Sequence, residues 1–99
     1  MTKDEIRDMQ TGPEMDKIVA EKVTGTGIFS TPPRYSTEIA AAWDILPKFH
    51  WVNLLKGQAG MWVCTVRNYS GMQYQEYQAL SRQAPEAICK AALLAAIDK

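Results

Sequence analysis

Apolar residues recur at i, i+3, i+4 and i+7 in the stretch Thr31 to Leu46, TPPRYSTEIAAAWDIL, where Ile39, Ala42, Trp43 and Leu46 trace one helical face. The spacing predicts a helix that buries Trp43. Ser36 is its expected N-cap, with a hydroxyl that accepts a first-turn N–H, and Glu38 sits where the positive end of the helix dipole favours a carboxylate. Pro32 and Pro33 fix the direction of entry, and Pro47 biases Leu46 away from helical geometry, so the helix is expected to end near Leu46.

Upstream, Thr2 to Glu5 is a T-x-x-E capping box that starts a helical turn or two through Met9. Met15, Ile18, Val19, Lys22 and Val23 then trace a stripe apolar at four of five places, which predicts a short amphipathic helix from Pro13 to Thr24 closed by Gly25. The run TGTGIFSTPPR reads as a crossover loop, pinned by Ile28 and Phe29. Beyond Pro47 the period changes from helical to two. His50 to Lys56, Met61 to Asn68 and Met72 to Gln78 are rich in valine, tryptophan, tyrosine and threonine and are separated by turn-like KGQAGM and NYSG, the pattern of an antiparallel meander. In the second run both faces are apolar near the middle, as in a central strand covered on both sides. In the third, Met72, Tyr74 and Glu76 share one face and Gln73, Gln75 and Tyr77 the other, as in an edge strand. Ser81 to Ala84 connects to a last helix with Pro85 at its first position and a broad surface of alanine, isoleucine and leucine. The order α-α-β-β-β-α gives an α+β fold: a three-stranded antiparallel sheet covered by helices on both faces.

The segments MDKIVAEKVTG, PPRYSTEIAAAW and APEAICKAALLA resemble, in that order, successive blocks of the phage ABA-sandwich domain family, small proteins of phages and prophages. The resemblance runs across nearly the whole chain and implies an α/β/α sandwich. It implies no activity and no catalytic residues. The chain departs from the family pattern in its long GTGIFSTP loop and in Pro47, which interrupts a helix expected to continue.

Ninety-nine residues with 46% apolar content make one domain, residues 1–99. Eleven basic and eleven acidic side chains cancel, which argues against phosphate-backbone partners. No apolar run reaches the length of a membrane helix, and MTKDEIRDM lacks the apolar core of a signal peptide, so a cytoplasmic protein is expected, in the host cell if the phage resemblance holds. Cys64 and Cys89 lack CxxC spacing and read as reduced, buried thiols, and His50 has no second histidine or cysteine pair with which to form a zinc site. The Gly25-Thr26-Gly27 triplet follows a helix instead of a strand, which removes the dinucleotide reading. No cofactor and no catalytic site are expected.

Two binding classes remain. In the first, the chain is a protein-interaction module for a host or phage macromolecule, with inhibition of a host defence system as the role the resemblance suggests. Three tryptophans, four tyrosines and several arginines supply hot-spot chemistry, and Tyr69, Tyr74 and Tyr77 are the expected contact residues. The edge strand offers a route to a homodimer. In the second, Arg34, Tyr35 and Ser36 form an anion, nucleotide or single-stranded nucleic-acid site at the helix entry. Neutral charge favours the first.

Overall fold

A computed structural model describes residues 2–25, 33–57 and 59–97. Ile28 and Phe29, expected to pin the crossover loop, lie outside the described residues.

Thr2 caps α1 (Lys3–Asp8) by accepting the Glu5 N–H at 3.2 Å, so the capping box starts a complete helix and adds one helix to the expected order. Pro13 opens α2 (Pro13–Lys22), preceded by Gly12 at φ 143°, a backbone state open to glycine. Then follow α3 (Ile39–Trp43) and a 3-10 turn (Leu46–Lys48), the strands β1 (Trp51–Lys56), β2 (Trp62–Ser70) and β3 (Gln73–Ser81), and α4 (Ala84–Ile97).

The strands form one antiparallel sheet in the order β1-β2-β3, with β2 central and β3 at an edge as expected. Gly71 and Met72 make the two-residue connection from β2 to β3. Gly71 takes φ 64°, while Met72 has a negative φ, the sign pattern of a type II′ hairpin turn. Cys64, Val66 and Ala79 face α4, which packs on β2 and β3. The other three helices pack on the opposite side of α4. The layers are therefore sheet, α4, then α1 to α3, and among the described residues the helical cover lies on one face of the sheet, two layers deep. This explains the composition of α4. A helix clothed on all sides must be apolar all round, and Ala84, Ala87, Ala91, Ala92 and Ala95 let both neighbouring layers approach closely. Its one buried cation, Lys90, threads out to the Arg7 carbonyl at 2.7 Å and pairs with Glu86 at 3.3 Å, so it satisfies an orphan carbonyl at the end of α1.

The central helix differs from its expected form. It runs only from Ile39 to Trp43, and Glu38, not Ser36, occupies the N-cap. From Asp44 onward the N–H groups bond three residues back: Asp44 to Ala41, Ile45 to Ala42, Lys48 to Ile45 and Phe49 to Leu46. Pro47 has no N–H to extend an α-helical ladder, and the tighter winding eclipses side chains three apart. Ala42 and Ile45 thus share the buried side, whereas Trp43 turns outward and is 57% exposed. Trp43→Ala is accordingly expected to cost less than about 1 kcal/mol, as a surface change does. A urea unfolding curve that showed a loss of about 3 kcal/mol or more would restore the buried assignment.

Candidate functional site: the open face of the sheet

The face of the sheet turned away from α4 is built by strand alternation in four cross-strand rows. Leu55, Val63 and Leu80 are in register in the first, and Leu55 and Leu80 are 59% and 55% exposed. Asn53, Thr65 and Gln78 form a polar second row, in which the Gln78 amide donates to the Thr65 hydroxyl at 3.1 Å. Trp51, Arg67 and Glu76 form the third. Tyr69 and Tyr74 face each other in the fourth, with ring centroids 5.5 Å apart.

Arg67 is the hub of this face. Its guanidinium carbon lies 4.1 Å from the centroid of Trp51 and 4.6 Å from that of Tyr74, so the planar cation is stacked between two aromatic rings from the two edge strands. Its Nε donates to Glu76 at 3.0 Å. The Tyr69 side chain first, and then Glu76, raise the pKa of the guanidinium above its ordinary value, so the charge is permanent. His50 closes the end of the cluster: its Nδ1 accepts the Tyr69 N–H at 3.0 Å and its ring meets the Tyr69 ring edge-on at 5.8 Å. This leaves a surface of two aromatics around a locally neutralised arginine, flanked by exposed leucines.

On the opposite side of the sheet, beyond the β2–β3 hairpin, a cleft of about 400 Å³ opens between the C-terminal turns of α2 and α4. Phe49, Tyr77 and Ala92 are among its apolar lining, and Lys22, Lys48 and Asn68 are among its polar lining.

A family model for the phage ABA sandwich domain matches residues 9–93. The chain belongs to that family. It is also similar to a solved structure described as a phage protein from Bacillus cereus ATCC 14579, at 2.0 Å, with a TM-score of 0.68, 23% identity, and coverage of 87% of this chain and 92% of that one. That likeness is one of fold. A comparison with curated proteins finds no match. No helix among the described residues of this phage ABA-sandwich protein is long and apolar enough to cross a membrane.

Of the tyrosines named from the sequence, Tyr69 and Tyr74 come together on the open face, and both are exposed. Tyr77 lies on the other face, half-buried against the core, and its hydroxyl donates to Gln75 at 2.9 Å. The helix-entry trio is separated by burial. Tyr35 is 6% exposed and belongs to the core cluster, and Arg34 is exposed and reaches Glu38 at 3.8 Å. Ser36 is fully buried, its hydroxyl and N–H both donating to the Asp16 carboxylate at 2.7 and 2.8 Å while its Oγ accepts the Gly12 N–H at 2.9 Å. A stacking tyrosine and a free hydroxyl are what an anion site there requires, and neither faces solvent. Sequence reasoning missed Arg67 and Glu76 and did not count Trp51 among the contact residues. The signal was available in the registry of the meander, since a tryptophan, an arginine and a glutamate at matching offsets fall in one row.

Both thiols are buried. Burial pushes Cys64 up to about 11; burial, and then Asp16, Cys64 and Glu86, push Cys89 still higher. Each raised pKa keeps the thiol protonated, hence non-nucleophilic, until pH climbs well past neutrality. An aromatic disulfide reagent at pH 8 is therefore expected to label neither cysteine in the folded chain and both after denaturation. Rapid labelling of native protein would show that one of them is accessible as a thiolate.

Proposed function

We propose that this protein is a small, non-catalytic binding module that docks a host or phage protein on the open face of its sheet. The single observation that carries the reading is the Trp51–Arg67–Tyr74 stack. Tryptophan, tyrosine and arginine are the side chains that dominate interface hot spots, and here the three are already stacked on one another, an arrangement that lowers the entropy cost of docking. Exposed Leu55 and Leu80 extend the surface with apolar area of the kind a protein partner desolvates. Glu76 neutralises Arg67, so the face offers no net positive field to a polyanion. The buried thiols and the engagement of the His50 Nδ1 by a backbone N–H support a non-catalytic role. Membership of a phage family supports a host or phage protein as the partner, a host defence component among them.

Affinity capture from host lysate with three baits tests this: wild type, Tyr74→Ala and Arg34→Ala. A protein captured in near-stoichiometric amount by wild type and Arg34→Ala, and lost with Tyr74→Ala, is the expected result. Capture of nucleic acid, or loss with Arg34→Ala alone, would instead favour the helix-entry site.

A further inference from the structure

We infer that the cleft beyond the β2–β3 hairpin is a second binding site, for a small ligand that joins one anionic group to a flat apolar body, such as an aromatic carboxylate or sulfonate. Its volume of about 400 Å³ lies in the range of small-molecule sites, and its lining combines apolar side chains with polar ones that could fix an orientation. Phe49, Tyr77 and Ala92 are among the apolar ones. Lys22 and Lys48 contribute two positive charges, and among the described residues no aspartate or glutamate lines the cleft, although acids and bases balance at eleven each over the whole chain. Neither lysine forms an ion pair among the described residues. Lys22 also sits in the last turn of α2, where the dipole favours a cation without any ligand. Lys48 has no helix end of that length to neutralise, which makes it the diagnostic residue. Asn68 adds an amide that can donate to an acid oxygen. This site lies mainly on the other side of the sheet from the protein-docking face, with Tyr69 bordering both.

The test is a titration of the full chain with anilinonaphthalene sulfonate, followed by heteronuclear NMR, for wild type, Lys48→Glu and Lys17→Glu. Lys17 is exposed on α2 and does not line the cleft, so it controls for net charge. Saturable binding is expected, with shifts centred on Lys48, Asn68 and Ala92, weakened about tenfold by Lys48→Glu and unchanged by Lys17→Glu. The inference is overturned by absence of saturation, by shifts centred on Trp51 and Tyr74, or by equal affinity of Lys48→Glu and wild type. Absence of saturation or equal affinity leaves the docking of a protein on the open sheet face untouched, whereas shifts centred on Trp51 and Tyr74 would place the small anion on that face.

Discussion

Asp16→Ala is expected to lower stability by about 3 kcal/mol, close to the largest loss for a single polar side chain in this chain. The carboxylate is buried near the start of α2 and accepts both the N–H and the hydroxyl of Ser36, which is itself fully buried and holds the Gly12 N–H. Removing the acid leaves the buried Ser36 N–H with no acceptor and the hydroxyl with only its longer bond to the Gly12 carbonyl at 3.3 Å, and a donor stranded in that way costs its whole desolvation penalty. The arrangement ties the start of α2 to the approach to α3 across twenty residues, so its loss also frees the turn that seats Tyr35 in the core. For a chain of this size each kcal/mol moves the thermal midpoint by about 4 to 8 °C, so the drop should be large in a melt. Asp16→Asn keeps one acceptor oxygen and should lose less. Ser36→Ala keeps the backbone N–H on the Asp16 carboxylate and removes only the hydroxyl bridge to Gly12, so it should lose less than Asp16→Ala. If Asp16→Ala melted within a few degrees of wild type, water would have to be serving Ser36.

The second large effect is on binding. Trp51→Ala removes one wall of the stack around Arg67, and truncation of a hot-spot aromatic weakens association by at least about 2 kcal/mol, or some thirtyfold. Stability should change much less, because Trp51 is only half-buried and lies outside the apolar core cluster. The pairing of a lost interaction with a retained melting curve is what separates a docking residue from a structural one. Tyr74→Ala should behave alike, and the two together should be less than additive, since both act through the guanidinium they enclose. An unchanged affinity for a partner captured by wild type would remove the stack from the interface.

The meander was legible because its signals are local. Alternation, turn residues and the doubly apolar middle of β2 placed three strands in order, and the alternation of β3 already put Tyr74 and Tyr77 on opposite faces. The alanine surface of α4 identified a core helix. The failures are all tertiary. Ser36 follows two prolines and precedes an apolar stripe, so it has every local mark of a cap, and only the fold reveals that its donors point at Asp16, twenty residues earlier. Asp16 in turn carries no local mark in the sequence that sets it apart from a surface acid. Trp43 fell on the predicted stripe at α-helical spacing, but that helix ends at Trp43, Ile39 on the same stripe is exposed too, and the buried side is the one that Ala42 shares with Ile45 through the i to i+3 winding that follows. Both sides of β2 are apolar, which led to a sheet expected to be covered on both faces. On the second side of β2 Thr65 is buried and Val63 and Arg67 are half-buried, and the exposed side chains assigned to binding lie around them, Leu55, Leu80 and Tyr74 on the neighbouring strands.

The most direct test of that assignment is site-specific photo-crosslinking in infected or host cells, with p-benzoylphenylalanine placed at Tyr74 on the open face and, separately, at Lys17 on the outer surface of α2. A single protein adduct from the Tyr74 position, and none from Lys17, is the expected result. Adducts to nucleic acid, or protein adducts from Lys17 with none from Tyr74, would contradict docking through the sheet.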